Sequence, residues 1–152
     1  MTEPANSNRQ QNEFFDTVRV KHLEFIQAVI TRMGNNGFLL KGWALTVGAA
    51  FFGFAAREVS WSIATVGLMP VVTFWALDAY FLHRERLFRH LYDAVVSGDP
   101  RVERFTMDYR MFLGPTCRYR DAVTSMPLLF FYGSLAVAGL VLIALTALHP
   151  GS

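Results

Sequence analysis

Asp78 and Lys41 are charged side chains set inside apolar runs, and they pose the question of what chemistry this chain could do. Asp78 lies four positions before the end of the run Trp61–Leu82, and Lys41 occupies the matching depth in Phe38–Ala56. A carboxylate in a hydrocarbon-like layer is expensive and usually faces protein or water, so such a residue is a candidate gate, ligand or interhelical lock. Three readings stay open. Asp78 could be a working group paired with an Arg, an interfacial residue one turn from the lipid headgroups, or the partner of Lys41 in a hairpin pair. Arginines form the second constellation. Arg84, Arg86 and Arg89 follow the run that holds Asp78, and Arg101, Arg104 and Arg110 come next. A guanidinium is a rigid planar fork of donors that fits phosphate or carboxylate. A soluble anion such as a nucleotide would suit it, and so would the anionic headgroups of an inner leaflet.

Motifs for other chemistry are missing. The sequence has no nucleophile elbow, no Gly-rich phosphate loop, no His-Glu-x-x-His and no cysteine pair for zinc. His83 and His90 are two helical turns apart, too far to chelate one ion. Cys117 is alone, so it forms no internal disulfide and reads as a structural thiol. No enzyme activity, cofactor or metal is therefore expected.

The elements that must position these residues come from the hydropathy. Phe38–Ala56, Trp61–Leu82 and Met126–Leu148 are each long enough to cross a bilayer, because about 20 residues at 1.5 Å rise match a ~30 Å hydrocarbon core. The expected fold is an all-α membrane protein with three transmembrane helices, an N-terminal amphipathic helix and a cytoplasmic helical extension. Residues 1–12 are polar, lack an apolar signal-peptide core and read as a disordered tail; residues 13–152 form a single helical membrane domain. From Phe15 to Met33 apolar residues recur at three- and four-residue steps, which predicts a surface helix over 13–33 that ends at Gly34-Asn35-Asn36-Gly37. Arg57-Glu58-Val59-Ser60 is a tight turn. The second span continues as a stalk over 83–96 to Gly98, and Asp99 with Pro100 opens another helix over 99–113. Trp43, Trp61, Trp75, Tyr80 and Tyr132 fit interfacial belts. Ala49 with Gly53, and Ser134 with Ala138, are small-x-x-x-small pairs that let helices approach closely, so a homo-oligomer is expected.

At Trp75-Ala76-Leu77-Asp78-Ala79-Tyr80 and on through Glu85-Arg86-Leu87-Phe88-Arg89-His90-Leu91-Tyr92 the chain resembles a group of small bacterial inner-membrane proteins. Phe105-Thr106-Met107-Asp108 and Phe131-Tyr132-Gly133 are similar too. The resemblance implies a membrane component of the kind found beside anti-phage signalling genes, where a small multi-span protein depolarises or permeabilises the host membrane. From this come two expected functions: an oligomeric effector or channel-like protein of the inner membrane, or an anchor whose cytoplasmic helices recruit a protein partner. The partners expected are membrane lipids, further copies of the chain, and a cytoplasmic protein or small anionic signal. No nucleic acid is expected.

Charge fixes the expected orientation. Of the 14 Lys and Arg residues, only Arg57 lies in the link between the first two runs, and the tail after Leu148 has none. Positive charge is retained on the cytoplasmic side, so the N-terminus is expected inside and the C-terminus outside. A cysteine placed at Ser60 or Ser152 should therefore react with an impermeant reagent added to intact cells, and one at Ser97 should not. Labelling at Ser97 would reverse the orientation.

Overall fold

The computed structural model describes residues 3–58, 60–103, 105–114 and 117–148. Among them are four α-helices and one short 3₁₀ turn: α1 (Glu3–Glu58), α2 (Trp61–Ser97), a 3₁₀ turn at Arg110–Phe112, α3 (Tyr119–Val123) and α4 (Met126–Leu148). The fold is all-α among the described residues, and α1, α2 and α4 are long and apolar enough to cross a membrane. α1 and α2 form an antiparallel hairpin, and α4 packs mainly on α2. At 1.5 Å per residue α1 is about 84 Å long and α2 about 55 Å, so both extend well beyond the length of α4.

Two expectations about α1 are corrected. The helix begins at Glu3, so the polar segment over 3–12 is helical rather than a disordered tail. It also runs unbroken through Gly34-Asn35-Asn36-Gly37, joining the predicted surface helix to the first span. Each helical glycine costs about 1 kcal/mol against alanine, so packing must override propensity here. Gly37 shows how: a Cβ there would lie 2.9 Å from Asp78 Oδ1, and one on Gly34 would touch Glu85 Oε2 at 3.7 Å. Gly37 thus admits the Asp78 carboxylate against the α1 backbone instead of ending the helix, whereas a Cβ on Gly34 would make only an ordinary contact.

At the far end of the hairpin, Ser60 caps α2 by accepting from the Ile63 amide, and its own N–H donates to the Ala55 carbonyl. α2 is continuous across Pro70 and ends at Gly98, whose left-handed backbone (φ 70°) lets the amides of Gly98 and Asp99 close on Ala94 and Val95. Arg19 of α1 also donates to the Val95 and Val96 carbonyls, at 3.1 and 2.8 Å. A cation there complements the negative end of the helix dipole.

The helix expected over 99–113 is absent from the described residues. The Asp99 carboxylate accepts from the Arg101 amide and guanidinium rather than capping a helix. Thr106 Oγ1 takes the Asp108 amide, Asp108 takes the Arg110 amide, and Phe105 is left-handed (φ 65°). Such local side-chain bonds offer the backbone an alternative to helix. Arg104 lies outside the described residues. Between the 3₁₀ turn and α4 lies the five-residue α3, and the Ser125 hydroxyl, just before α4, is buried without a hydrogen-bond partner among the described residues.

Two apolar cores share the α1–α2 pair. One joins Ala44, Val71, Ala79, Leu128 and Tyr132 across all three long helices. The other, nearer the α1 N-terminus, joins Ile26, Ile30, Phe88 and Leu91, with Tyr109 and Phe112 of the loop packed on it. We call this second body the head. Close helix approach in the bundle is made by glycines the small-residue pattern did not single out. A Cβ on Gly67 would sit 2.8 Å from Phe51 Cβ, and one on Gly139 2.7 Å from both Leu68 Cδ2 and Phe52 Cζ. Gly67→Ala should therefore lower the melting temperature in mild detergent, because overpacking costs about 1–3 kcal/mol. Gly53→Ala, which would meet nothing within 4 Å, should not. Equal melting of the two variants would remove Gly67 as a packing constraint.

Candidate functional site

Asp78 is 2% exposed where the three long helices meet, and three groups surround its carboxylate. Lys41 Nζ donates to Oδ2 at 2.6 Å, the Tyr132 hydroxyl donates to the same oxygen at 3.2 Å, and Oδ1 lies over Gly37. Lys41 Nζ is also 3.4 Å from the Gly37 carbonyl oxygen, four residues earlier on its own helix. One residue from each long helix thus meets at a single depth. Gly37 and Lys41 stand one turn apart on α1, so the helix that supplies the cation also supplies the gap for the anion.

The cluster lies at a seam. On α1 it separates Ile26 and Ile30 of the head core from Ala44 of the bundle core; on α2, Asp78 and Ala79 close the bundle core and Leu87 and Phe88 open the head. The pair is neutral as a unit and satisfies its polar atoms mutually. Removing either charge would leave the other stranded in an apolar seam, and this is where a buried ion pair matters energetically.

The structure brings together Lys41 and Asp78, one of the three sequence readings, and adds Tyr132. That tyrosine was expected in an interfacial belt and is 1% exposed instead. Its position was a usable signal, since it lies six residues into the third apolar run, within a turn of the depth of Asp78, which is four from the end of the second. Trp75 is likewise no simple belt residue, because its indole N–H donates to the Val123 carbonyl at 3.2 Å and ties α2 to the segment before α4. Trp43 and Trp61 do face outward.

The arginines do not act as one patch. Arg89 pairs with Glu85 at 2.5 Å, and Arg101 with Asp99 at 2.6 Å. That pairing holds the Asp99 carboxyl at about 2, chiefly through the guanidinium and then through the Arg101 amide. Arg86 donates to the Asp121 carbonyl at 2.9 Å. Arg84 lies over the rings of Tyr80 and Tyr109, 5.0 and 5.1 Å from their centroids. The helix-contact residues Ala49, Gly53, Ser134 and Ala138 are all exposed on the single chain.

His22 lies on the stripe that predicts the surface helix and is 7% exposed in α1, but sequence assigned it no partner. It bonds the Thr106 carbonyl through Nε2 at 2.9 Å and packs edge-on against Phe105. It fastens the loop after α2 onto α1. Cys117 Sγ lies 3.8 Å from His83 Nδ1, but burial pushes the thiol up, while burial, then Arg84 and Arg86, pull the imidazole down. Both shifts favour the neutral forms, the reverse of a thiolate–imidazolium pair. Among the described residues no group of three or more His, Cys, Asp or Glu could hold a metal ion.

Asp78→Asn keeps the side-chain shape and removes its charge. It should lower stability by about 3 kcal/mol, the low end of the usual 3–5 for breaking a buried pair, because Lys41 is partly exposed. Adding Lys41→Met should recover most of that loss, and Tyr132→Phe alone should cost about 1.5 kcal/mol, as for one hydrogen bond to a charged group. Thermal unfolding in mild detergent reads all three. A double variant no more stable than Asp78→Asn would remove the ion pair from the account.

Compared with known proteins, the chain matches no family model, no curated protein and no solved structure.

Proposed function

We propose that this protein is an oligomeric integral membrane effector of channel-like type, set in a bacterial inner membrane with its N-terminal head in the cytoplasm and its C-terminus outside. One observation carries the reading. α1 and α2 pass without a break from the head into the apolar bundle, and the Lys41–Asp78–Tyr132 cluster joins all three long helices where the two bodies meet. A displacement of the head is then a displacement of the spans, and the cluster is the lock that resists it. Packed interfaces of this kind have discrete arrangements, so a small shift at the head can switch the bundle rather than bend it.

Self-assembly is supported by what faces outward. Added Cβ atoms at Gly42, Gly53 and Gly133 would meet nothing within 4 Å, and Ala49, Ser134 and Ala138 are exposed beside them. Small faces suit close helix contacts between copies in lipid. The likeness to membrane components beside anti-phage signalling genes makes defence the setting and host-membrane permeabilisation the activity.

An anchor that recruits a protein partner is the second reading, favoured by an open apolar groove of about 390 Å³ on the head. Val18, His22, Phe25 and Val29 of α1 form one wall, and Phe105 and Met107 the other.

Liposomes loaded with a small dye separate the two. Reconstituted protein should release the dye, Asp78→Asn should raise the leak by unlocking the seam, and Gly53→Leu should lower oligomer mass and leak together. Sealed liposomes with both wild type and Asp78→Asn would favour the anchor. A native mass of one 17.2 kDa chain would end the oligomer.

A further inference from the structure

We propose that Arg84, held over Tyr80 and Tyr109, is a binding site for the phosphate of an anionic phospholipid. The site rests on reading Trp61–Leu82 as a membrane span, which puts Arg84 two residues past the apolar run, at headgroup depth.

Sorting the arginines isolates it. Arg19, Arg86, Arg89 and Arg101 each donate to a carbonyl or carboxylate of this chain. Arg84 makes no ion pair and no side-chain hydrogen bond among the described residues; its recorded contacts are the two tyrosine rings. A ring attracts the guanidinium through its π-face and satisfies none of the five N–H donors, which lie in the guanidinium plane. The tyrosines therefore fix the fork and leave it without acceptors. The carboxylates adjoining Arg84 and Tyr109 in sequence face other arginines: Glu85 pairs with Arg89, and Asp108 faces Arg110 at 3.9 Å. Neither the Tyr80 nor the Tyr109 hydroxyl has a hydrogen-bond partner among the described residues, so both add donors. A preset fork of donors with no anion beside it calls for a bidentate anionic acceptor, and phosphate has that shape.

The same face of α2 suits the rest of a lipid. Going from Arg84 into the bundle, Tyr80, Ala76, Val72 and Met69 recur at four- and three-residue steps and are all exposed. Acyl chains laid along that stripe would run from the headgroup at Arg84 toward the middle of the span. Arg118 and Arg120, exposed at the start of α3, supply general positive potential but no aromatic clamp. They serve as the contrast.

Full-length protein purified in mild detergent, with a mixture of phosphatidylglycerol and phosphatidylcholine added, is analysed by native mass spectrometry for bound lipid. Wild type should retain phosphatidylglycerol preferentially. Arg84→Gln should weaken that retention about tenfold, as expected for loss of a charge-assisted fork. Arg84→Lys, which keeps the charge but not the fork, should fall between and covers the case in which the glutamine variant misfolds. Arg120→Gln should bind as wild type does. Retention unchanged in Arg84→Gln would overturn the site, and so would equal losses in Arg84→Gln and Arg120→Gln, because diffuse charge would then suffice. Displacement of the lipid by excess glycerol phosphate would assign the fork to a soluble phosphate instead. Alkaline extraction tests the underlying span separately: protein that stays in the membrane pellet while Arg84→Gln keeps its lipid fails this proposal alone, whereas protein released to the supernatant fails the span.

Discussion

A carboxylate inside an apolar helix bundle has to be neutralised, hydrogen-bonded or displaced, and Asp78 is the residue from which much of this architecture follows. On insertion scales an unpaired Asp costs roughly 2.5–3.5 kcal/mol at the centre of a span, and the cost at Asp78, about one turn from the end of its run, is a part of that. Meeting that demand takes a cation and a hydroxyl at one depth and room for an oxygen against a backbone. Lys41, Tyr132 and Gly37 supply these from α1 and α4. Their coincidence sets the axial register of the three long helices, since sliding α2 by a turn (about 5.4 Å) would break every contact at once and sliding α1 or α4 would break its own. Apolar packing among Ala44, Val71, Ala79 and Leu128 is nondirectional and could tolerate other registers; the polar cluster selects one.

The head is organised differently. Its core of Ile26, Ile30, Phe88 and Leu91 is small, and the chain returning from α2 is fastened by polar contacts to backbone: His22 on the Thr106 carbonyl and Arg19 on the end of α2. Phe105 adopts a left-handed backbone, unusual for an aromatic residue, with its ring against His22. A strained residue persists where its surroundings over-determine it. The head therefore combines a permanent helical hairpin with a clipped-on loop, and the two need not share one stability.

Hydropathy made the long apolar helices legible, because length and apolar continuity are local properties. The Lys41–Asp78 pairing was legible as one option among three, since matching depth from a short hairpin turn is simple geometry. What stayed hidden depended on partners distant in sequence. Gly34 to Gly37 has the local chemistry of a helix stop, and only the side chain of Asp78 against Gly37 reveals it as a site of close approach. Asp99 before Pro100 has the local chemistry of a helix start, but the neighbouring Arg101 captures its carboxylate. The pairs Ala49–Gly53 and Ser134–Ala138 carry the small-residue spacing, yet Gly67 and Gly139 make the intrachain contacts because Phe51 and Phe52 lie opposite them. Local pattern says where a chain can come close. It does not say which face will.

The shared oxygen of Asp78 also bears on how such a chain enters a bilayer. A first segment arriving alone would carry the Lys41 ammonium with no counterion in its apolar run, and a second arriving alone would carry the bare carboxylate. Inserted together as a hairpin, the two settle near one boundary of the apolar runs as a neutral couple, and the four-residue link at the opposite end keeps them in register. The phenol of Tyr132 comes from the last long helix, after the couple has formed. The cluster thus has a built-in order of assembly, charge first and hydroxyl second, written into the sequence of synthesis itself.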